Sequence, residues 1–174
     1  MKRIHTSELR GAGPVAGERI LLSGVLYTAR DAAHRRFSAL LDAGVPLPFS
    51  LKDAVLYYAG ATPAPPGCVI GACGPTTAAR MDAFAPRLYD EGVCATVGKG
   101  PRSEAVAAAI VRNGALYLCA LGGAGALAAC CITACEPVAF EDLGCEAVLK
   151  LTVQDFPLIV GIDAGGGVAT GIGK

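Results

Sequence analysis

Apolar, β-branched runs separated by glycine and proline dominate the chain, and the period inside each run predicts its element. Residues 19–28 have the content of a strand, and residues 29–42 repeat apolar positions at helical spacing until Gly44. A strand therefore feeds directly into a helix. Residues 54–58 and 68–72 predict short strands on either side of the proline-rich loop 62–67. Gly74-Pro-Thr-Thr77 then opens a helix that passes Met81 and Leu88 and reaches Gly92, with Pro86 breaking or kinking it. Residues 93–97 predict a strand, 98–100 the loop after it, and Pro101 the start of a helix that closes near Gly114. Residues 115–121 predict a buried strand, 122–125 a tight loop and Ala126 onward a buried helix of small residues; strands near 147–153 and 158–162 finish the chain. Three or four strand-to-helix junctions predict an α/β layer fold, with no internal repeat.

Composition narrows the class. A length of 174 residues predicts one domain over 1–174. Lys+Arg and Asp+Glu are 15 each, so there is no electrostatic footprint for nucleic acid or an anionic membrane. Hydrophobic residues make 53% and charged residues 17%, against about 25% charged in a typical domain, which excludes disorder and predicts an apolar face for a partner chain. The first ten residues carry no apolar stretch of the secretory kind, so the eight cysteines are expected to be reduced, in a cytoplasmic setting. The uncharged stretch 113–135 has the length to span a bilayer of about 30 Å, but it divides into strand, loop and helix and lacks an aromatic belt, so no membrane span is expected. Cys130, Cys131 and Cys135 fall in the predicted core helix, where adjacent cysteines orient poorly toward one ion; no metal site is expected in this chain.

Three junctions carry cations or hydroxyls where a strand feeds a helix, a place where free backbone N–H groups and the helix dipole favour anions. Arg30 and His34, four apart, share one helical face; the plainer reading is a surface ion pair for Arg30 and a packing role for His34. Thr76 and Arg80 repeat that spacing, and capping by Thr76 or Thr77 would account for one hydroxyl without chemistry. Lys99 stands between Gly98 and Gly100, alone no more than a solvated loop tip. Together Arg30, Arg80 and Lys99 supply the charge that a small dicarboxylate needs. Gly122-Gly-Ala-Gly-Ala126 is not a dinucleotide fingerprint, and Glu141 and Asp142 do not make it one.

The segments Leu22-Ser-Gly-Val-Leu-Tyr-Thr-Ala-Arg-Asp-Ala-Ala-His-Arg35, Gly71-Ala-Cys-Gly-Pro-Thr-Thr-Ala-Ala-Arg-Met-Asp82 and Gly98-Lys-Gly100 resemble class I fumarases, the iron–sulfur hydro-lyases, and the similar L-tartrate dehydratases. The likeness is to their β subunit or C-terminal domain, runs from about Gly17 to Asp163, and includes Asp142-Leu-Gly-Cys-Glu-Ala147 and Val153-Gln-Asp-Phe-Pro157. The Gly165-Gly-Gly167 tail and the extra cysteines depart from the pattern. The resemblance implies a swivelling β/β/α domain of mixed sheet with packed helices, and an enzyme active only with its partner. That partner is an α subunit whose cysteines hold a [4Fe–4S] cluster, in a heterodimer or heterotetramer. It implies that Arg30, Arg80 and Lys99 bind the substrate carboxylates, that Thr76 is the catalytic hydroxyl, and that His34, Thr77 and Asp31 support them from behind. Fumarate–malate interconversion is the leading activity, with L-tartrate dehydration next and a non-catalytic dicarboxylate-binding module as the alternative from another class. A threonine hydroxyl is a poor base at neutral pH, so Thr76 needs a relay or a strong positive field beside it.

Overall fold

The computed structural model describes residues 1–171, so the expected single domain, 1–174, runs three residues past the described part. Seven strands are described: β1 (Lys2–His5), β2 (Arg19–Thr28), β3 (Val55–Tyr57), β4 (Ala95–Gly98), β5 (Leu116–Cys119), β6 (Ile132–Ala139) and β7 (Val148–Ile162). The helices are α1 (Leu9–Ala12), α2 (Asp31–Asp42), α3 (Ala85–Asp90), α4 (Glu104–Arg112) and α5 (Gly125–Cys130). The result is an α/β fold built on a mixed sheet, as expected.

Strands β2, β3, β4 and β5 run parallel, and β7 returns antiparallel against both β5 and β2, so the pairings close a ring of five strands. β1 adds beside β2, and β6 beside β7. The period of two then sorts side chains into two cores. Val55, Tyr57, Val97, Leu116 and Leu118 point inside the ring with Leu26, Leu151 and Val160. Their neighbours Leu56, Tyr58, Tyr117 and Cys119 point outward under α2, α3 and α4, against Phe37, Leu88, Val106 and Ile110. Strands buried on both faces read as continuous apolar runs, which is how they read in the sequence.

Four expectations need correction. Residues 68–72 form no strand: both edges of β3 are occupied by β2 and β4, and the segment instead folds back on the proline-rich loop through Thr62 N–H to Ala72 O at 3.0 Å. The single helix expected over 74–92 is a 3-10 turn, Ala78–Met81, followed by α3, with Pro86 in the first turn of α3 where its missing N–H costs nothing. The small-residue helix stops at Cys130, and β-branched Ile132, Thr133 and Val138 continue as β6 along β7, so Cys135 lies on a strand rather than in a core helix. The two terminal strands are one strand of 15 residues, interrupted at Asp155, whose φ of 51° lets the chain bulge and continue. No helix among the described residues is long and apolar enough to cross a membrane.

Candidate functional site

The parallel strands β2, β3, β4 and β5 place their carboxyl ends side by side on one rim of the ring. β2 ends on buried Thr28, whose hydroxyl donates to Ala147 O at 3.1 Å and accepts Leu149 N–H at 2.9 Å, pinning the strand end to the start of β7. Two residues later Arg30 caps α2 in an extended conformation, and Asp31 follows in the first turn, favoured there by the helix dipole. β4 ends on Gly98, where an added Cβ would stand 3.0 Å from both Ala78 Cβ and Tyr58 Cδ2. Only glycine allows the 3-10 turn to approach so closely.

Backbone hydrogen bonds then tie Thr76 to Lys99. Thr76 N–H donates to Tyr58 O at 2.7 Å, Lys99 N–H donates to Thr76 O at 3.2 Å, and Ala78 N–H donates to Lys99 O at 2.8 Å, with a parallel bridge between Thr77 and Lys99. Arg80 follows one turn later and reaches Asp31, Nε to Oδ1 at 3.0 Å and Nη2 to Oδ2 at 2.7 Å. Asp31, Thr76, Thr77, Arg80 and Lys99 therefore belong to one connected group, with Arg30 beside Asp31 in the chain.

Electrostatics differ among the three cations. Arg30 Nη2 lies 3.4 Å from Glu146 Oε1, and Glu146 Oε2 also accepts Ala32 N–H at 2.9 Å; Arg30 Nε is buried without a hydrogen-bond partner. Arg80, 49% exposed, has its Nε/Nη2 edge occupied by Asp31, which leaves the Nη1/Nη2 edge as the fork for a ligand. Lys99 has no carboxylate within 4.0 Å of its ammonium among the described residues, and its aliphatic chain lies against Gly122. Three cations thus face two carboxylates, and Lys99 holds the uncompensated charge.

Capping does not absorb either threonine. Thr77 occupies the N-cap of the 3-10 turn with no side-chain cap bond, and the Thr76 hydroxyl makes no hydrogen bond among the described residues. His34 is fully buried beside Tyr58, Phe84 and Phe37. Its Nδ1 donates to Arg30 O at 2.8 Å, and burial pulls its pKa down to about 4, with nearby Arg102 acting in the same direction. A neutral His34 buttresses the cap residue from behind.

Arg102 is the residue that sequence reasoning missed. Its guanidinium is 0% exposed, 5.3 Å from the Tyr58 ring centroid and 4.9 Å from that of Tyr117. Nε donates to Asp82 Oδ1 at 2.7 Å, Nη1 to Thr96 Oγ1 at 2.9 Å and Nη2 to the Tyr58 hydroxyl at 3.4 Å. In the sequence Arg102 is one charge in a helix-opening tetrapeptide, which gives no sign of burial. The one available clue is Asp82, two residues past Arg80, as a matching charge.

The cysteines do not converge. Cys68, Cys130 and Cys145 are exposed, Cys73, Cys94 and Cys119 are buried, and among the described residues no three of His, Cys, Asp and Glu stand together to hold a metal. A cluster does not fit this chain's own donors. Leu121 and Leu127, 56% and 51% exposed, stand with Pro75 around a crevice beside the Thr76 loop. A wider concavity of about 610 Å3, lined by Leu41, Val45, Phe49 and Lys52, contains none of the cationic group.

The Fumarase C-terminus family model matches residues 6–169. Fumarate hydratase 2 of Leishmania major is 41% identical over 149 residues, covering 84% of this chain and 26% of that protein. The anaerobic class I fumarate hydratase of Escherichia coli (strain K12) is 41% identical over 147 residues, covering 83% of this chain and 27% of that protein. The putative L(+)-tartrate dehydratase subunit beta of Methanocaldococcus jannaschii is 36% identical over 156 residues, covering 86% of this chain and 80% of that protein. The chain therefore spans about a quarter of the length of these fumarate hydratases and most of the length of the subunit.

Proposed function

Because this chain belongs to the Fumarase C-terminus family, we propose that it is the carboxylate-binding half of a hydro-lyase that adds water reversibly across the double bond of a dicarboxylate, fumarate giving L-malate. The observation that carries the reading is the connected group in which Lys99, whose ammonium meets no carboxylate among the described residues, donates its backbone N–H to Thr76 O. Similarity to a tartrate dehydratase β subunit favours L-tartrate dehydration as the second activity and a separate α subunit as partner.

In the dehydration direction a proton leaves the carbon next to a carboxylate, and the electron pair it leaves behind delocalises into that carboxylate. Cations around it then stabilise the transition state more than the ground state. Lys99 meets the developing charge with an ammonium not already neutralised, whereas Arg80 offers its outer fork while Asp31 holds the inner one. Arg30, oriented by Glu146, faces the second carboxylate. The Thr76 hydroxyl, free of competing bonds, relays the proton beside this positive field, passing its own proton to water as it accepts the one that leaves the carbon. The hydroxyl of the substrate leaves on the side that the partner closes. Cysteines of that partner would hold the [4Fe–4S] cluster there, which would supply Lewis acidity when bound. Exposed Leu121 and Leu127 give that partner an apolar edge next to the site.

The test is paired substitution in the assembled enzyme. Arg80→Lys keeps charge and loses the planar fork, and it should lower kcat and kcat/KM by about 10²-fold. Thr76→Val should lower kcat by a similar factor with stability within about 0.5 kcal/mol of wild type, because the hydroxyl supports no fold contact. Wild-type kinetics in both variants would leave only the anion-binding module.

A further inference from the structure

Arg102 lies at the centre of a buried arrangement that touches both halves of the Thr76–Lys99 pair without reaching the site surface. On one side of its guanidinium is the Tyr58 ring, and Tyr58 O is the acceptor for Thr76 N–H. On the other side is the Tyr117 ring, whose hydroxyl donates to Gly100 O at 2.8 Å, the residue after Lys99. Asp82, which holds Arg102 Nε, also accepts Ser103 N–H at 2.6 Å and sits two residues beyond Arg80. Tyr89 closes the far side through Thr96 at 2.7 Å and Leu116 O at 3.0 Å. Gly100, at φ 84° and followed by Pro101, carries the carbonyl that Tyr117 binds, so this bond holds the far side of the residue after Lys99, while Lys99 O itself accepts Ala78 N–H.

We infer that Arg102, clasped between Tyr58 and Tyr117, is a positioning element that sets the register of Lys99 against Thr76, acting through the Tyr117–Gly100 hydrogen bond. A buried guanidinium with acceptors matched to three of its nitrogens is a rigid support, whereas an apolar filler would leave the tyrosine rings free to slide. The inference rests on the reading of Lys99 as a carboxylate ligand, and two readouts separate the two claims.

Tyr117→Phe removes one hydroxyl and keeps the ring over Arg102. On the chain itself, amide exchange at Ala78 and Lys99, the donors that join the turn to the loop, should speed by about tenfold or more while amides inside β4 are unchanged. Unchanged exchange at both overturns the inference. In the assembled enzyme Tyr117→Phe should lower kcat/KM for the dicarboxylate by about tenfold with a melting shift of a few degrees, and this loss should shrink to under about twofold in a Lys99→Gln background. An equal loss in both backgrounds, or none in either, overturns the inference and leaves Lys99 as a ligand. Wild-type kcat/KM in Lys99→Gln alone would instead overturn the site reading.

Discussion

Removing the carboxylate of Asp82 leaves the buried cation Arg102 without its carboxylate partner, and the cost follows from the geometry. Arg102 is 0% and Asp82 15% exposed on the side chain, so the pair is screened little by water. Breaking a buried ion pair from one side costs about 3–5 kcal/mol, because the remaining charge stays desolvated. Asp82→Ala also strips Ser103 N–H of its acceptor at the opening of α4, adding about 1 kcal/mol. In a domain of this size each kcal/mol lowers Tm by about 2–4 °C, so the variant should melt roughly 8–24 °C below wild type. A built-in control is Asp90→Ala, which breaks the Arg112 pair, 50% and 46% exposed, and should cost about 1 kcal/mol or less. Thermal and urea unfolding of both variants measure the difference. If Arg102 is merely a packed surface residue the two substitutions cost the same, and equal losses would refute the argument. Adding Arg102→Met to Asp82→Ala should recover part of the lost stability, since an apolar side chain removes the unpaired charge.

Three further outcomes follow from other parts of the structure. The folded chain refuses a proton at His34 until about pH 4, while the unfolded chain accepts one near 6.5; stability should therefore be full above pH 6.5 and fall by about 3 kcal/mol as pH drops to 4, a slope that His34→Asn should flatten in urea titrations. Asp31→Asn releases the inner edge of half-exposed Arg80, so it should change stability by under about 1 kcal/mol yet lower kcat/KM in the assembled enzyme, and unaltered kinetics would show that Arg80 needs no anchor. Gly98→Ala drives a methyl against Ala78 and Tyr58, and should cost about 1–3 kcal/mol in unfolding and shift Lys99 from Thr76 enough to reduce turnover beyond the folded fraction.

The strands of the ring were legible because they are buried on both faces and read as unbroken apolar runs, and the helices after β2 and β4 because glycine and proline punctuate them. The segment 68–72 was misread since its composition suits a strand but no sheet edge remains for it, which is a property of the assembled sheet. β6 was hidden by small residues that suit helix and strand alike, until the neighbouring β7 decides. Local spacing picked out Arg30, Thr76, Arg80 and Lys99 as candidates; Arg30 and Lys99 do follow the ends of β2 and β4, whereas Thr76 and Arg80 follow a segment that forms no strand. It did not show that Asp31 occupies one edge of Arg80, nor that Arg102 is buried between two tyrosines, because both depend on pairs 49 and 44 residues apart.

The claim that this chain supplies the cationic half of a shared site is tested most directly by assaying it alone and assembled with a cluster-bearing α subunit, anaerobically, against fumarate and L-tartrate. The pair should turn over one of these acids and the chain alone neither, with Lys99→Gln in the pair losing about 10²-fold in kcat/KM. Turnover by the isolated chain, or full activity of the pair carrying Lys99→Gln, would contradict it.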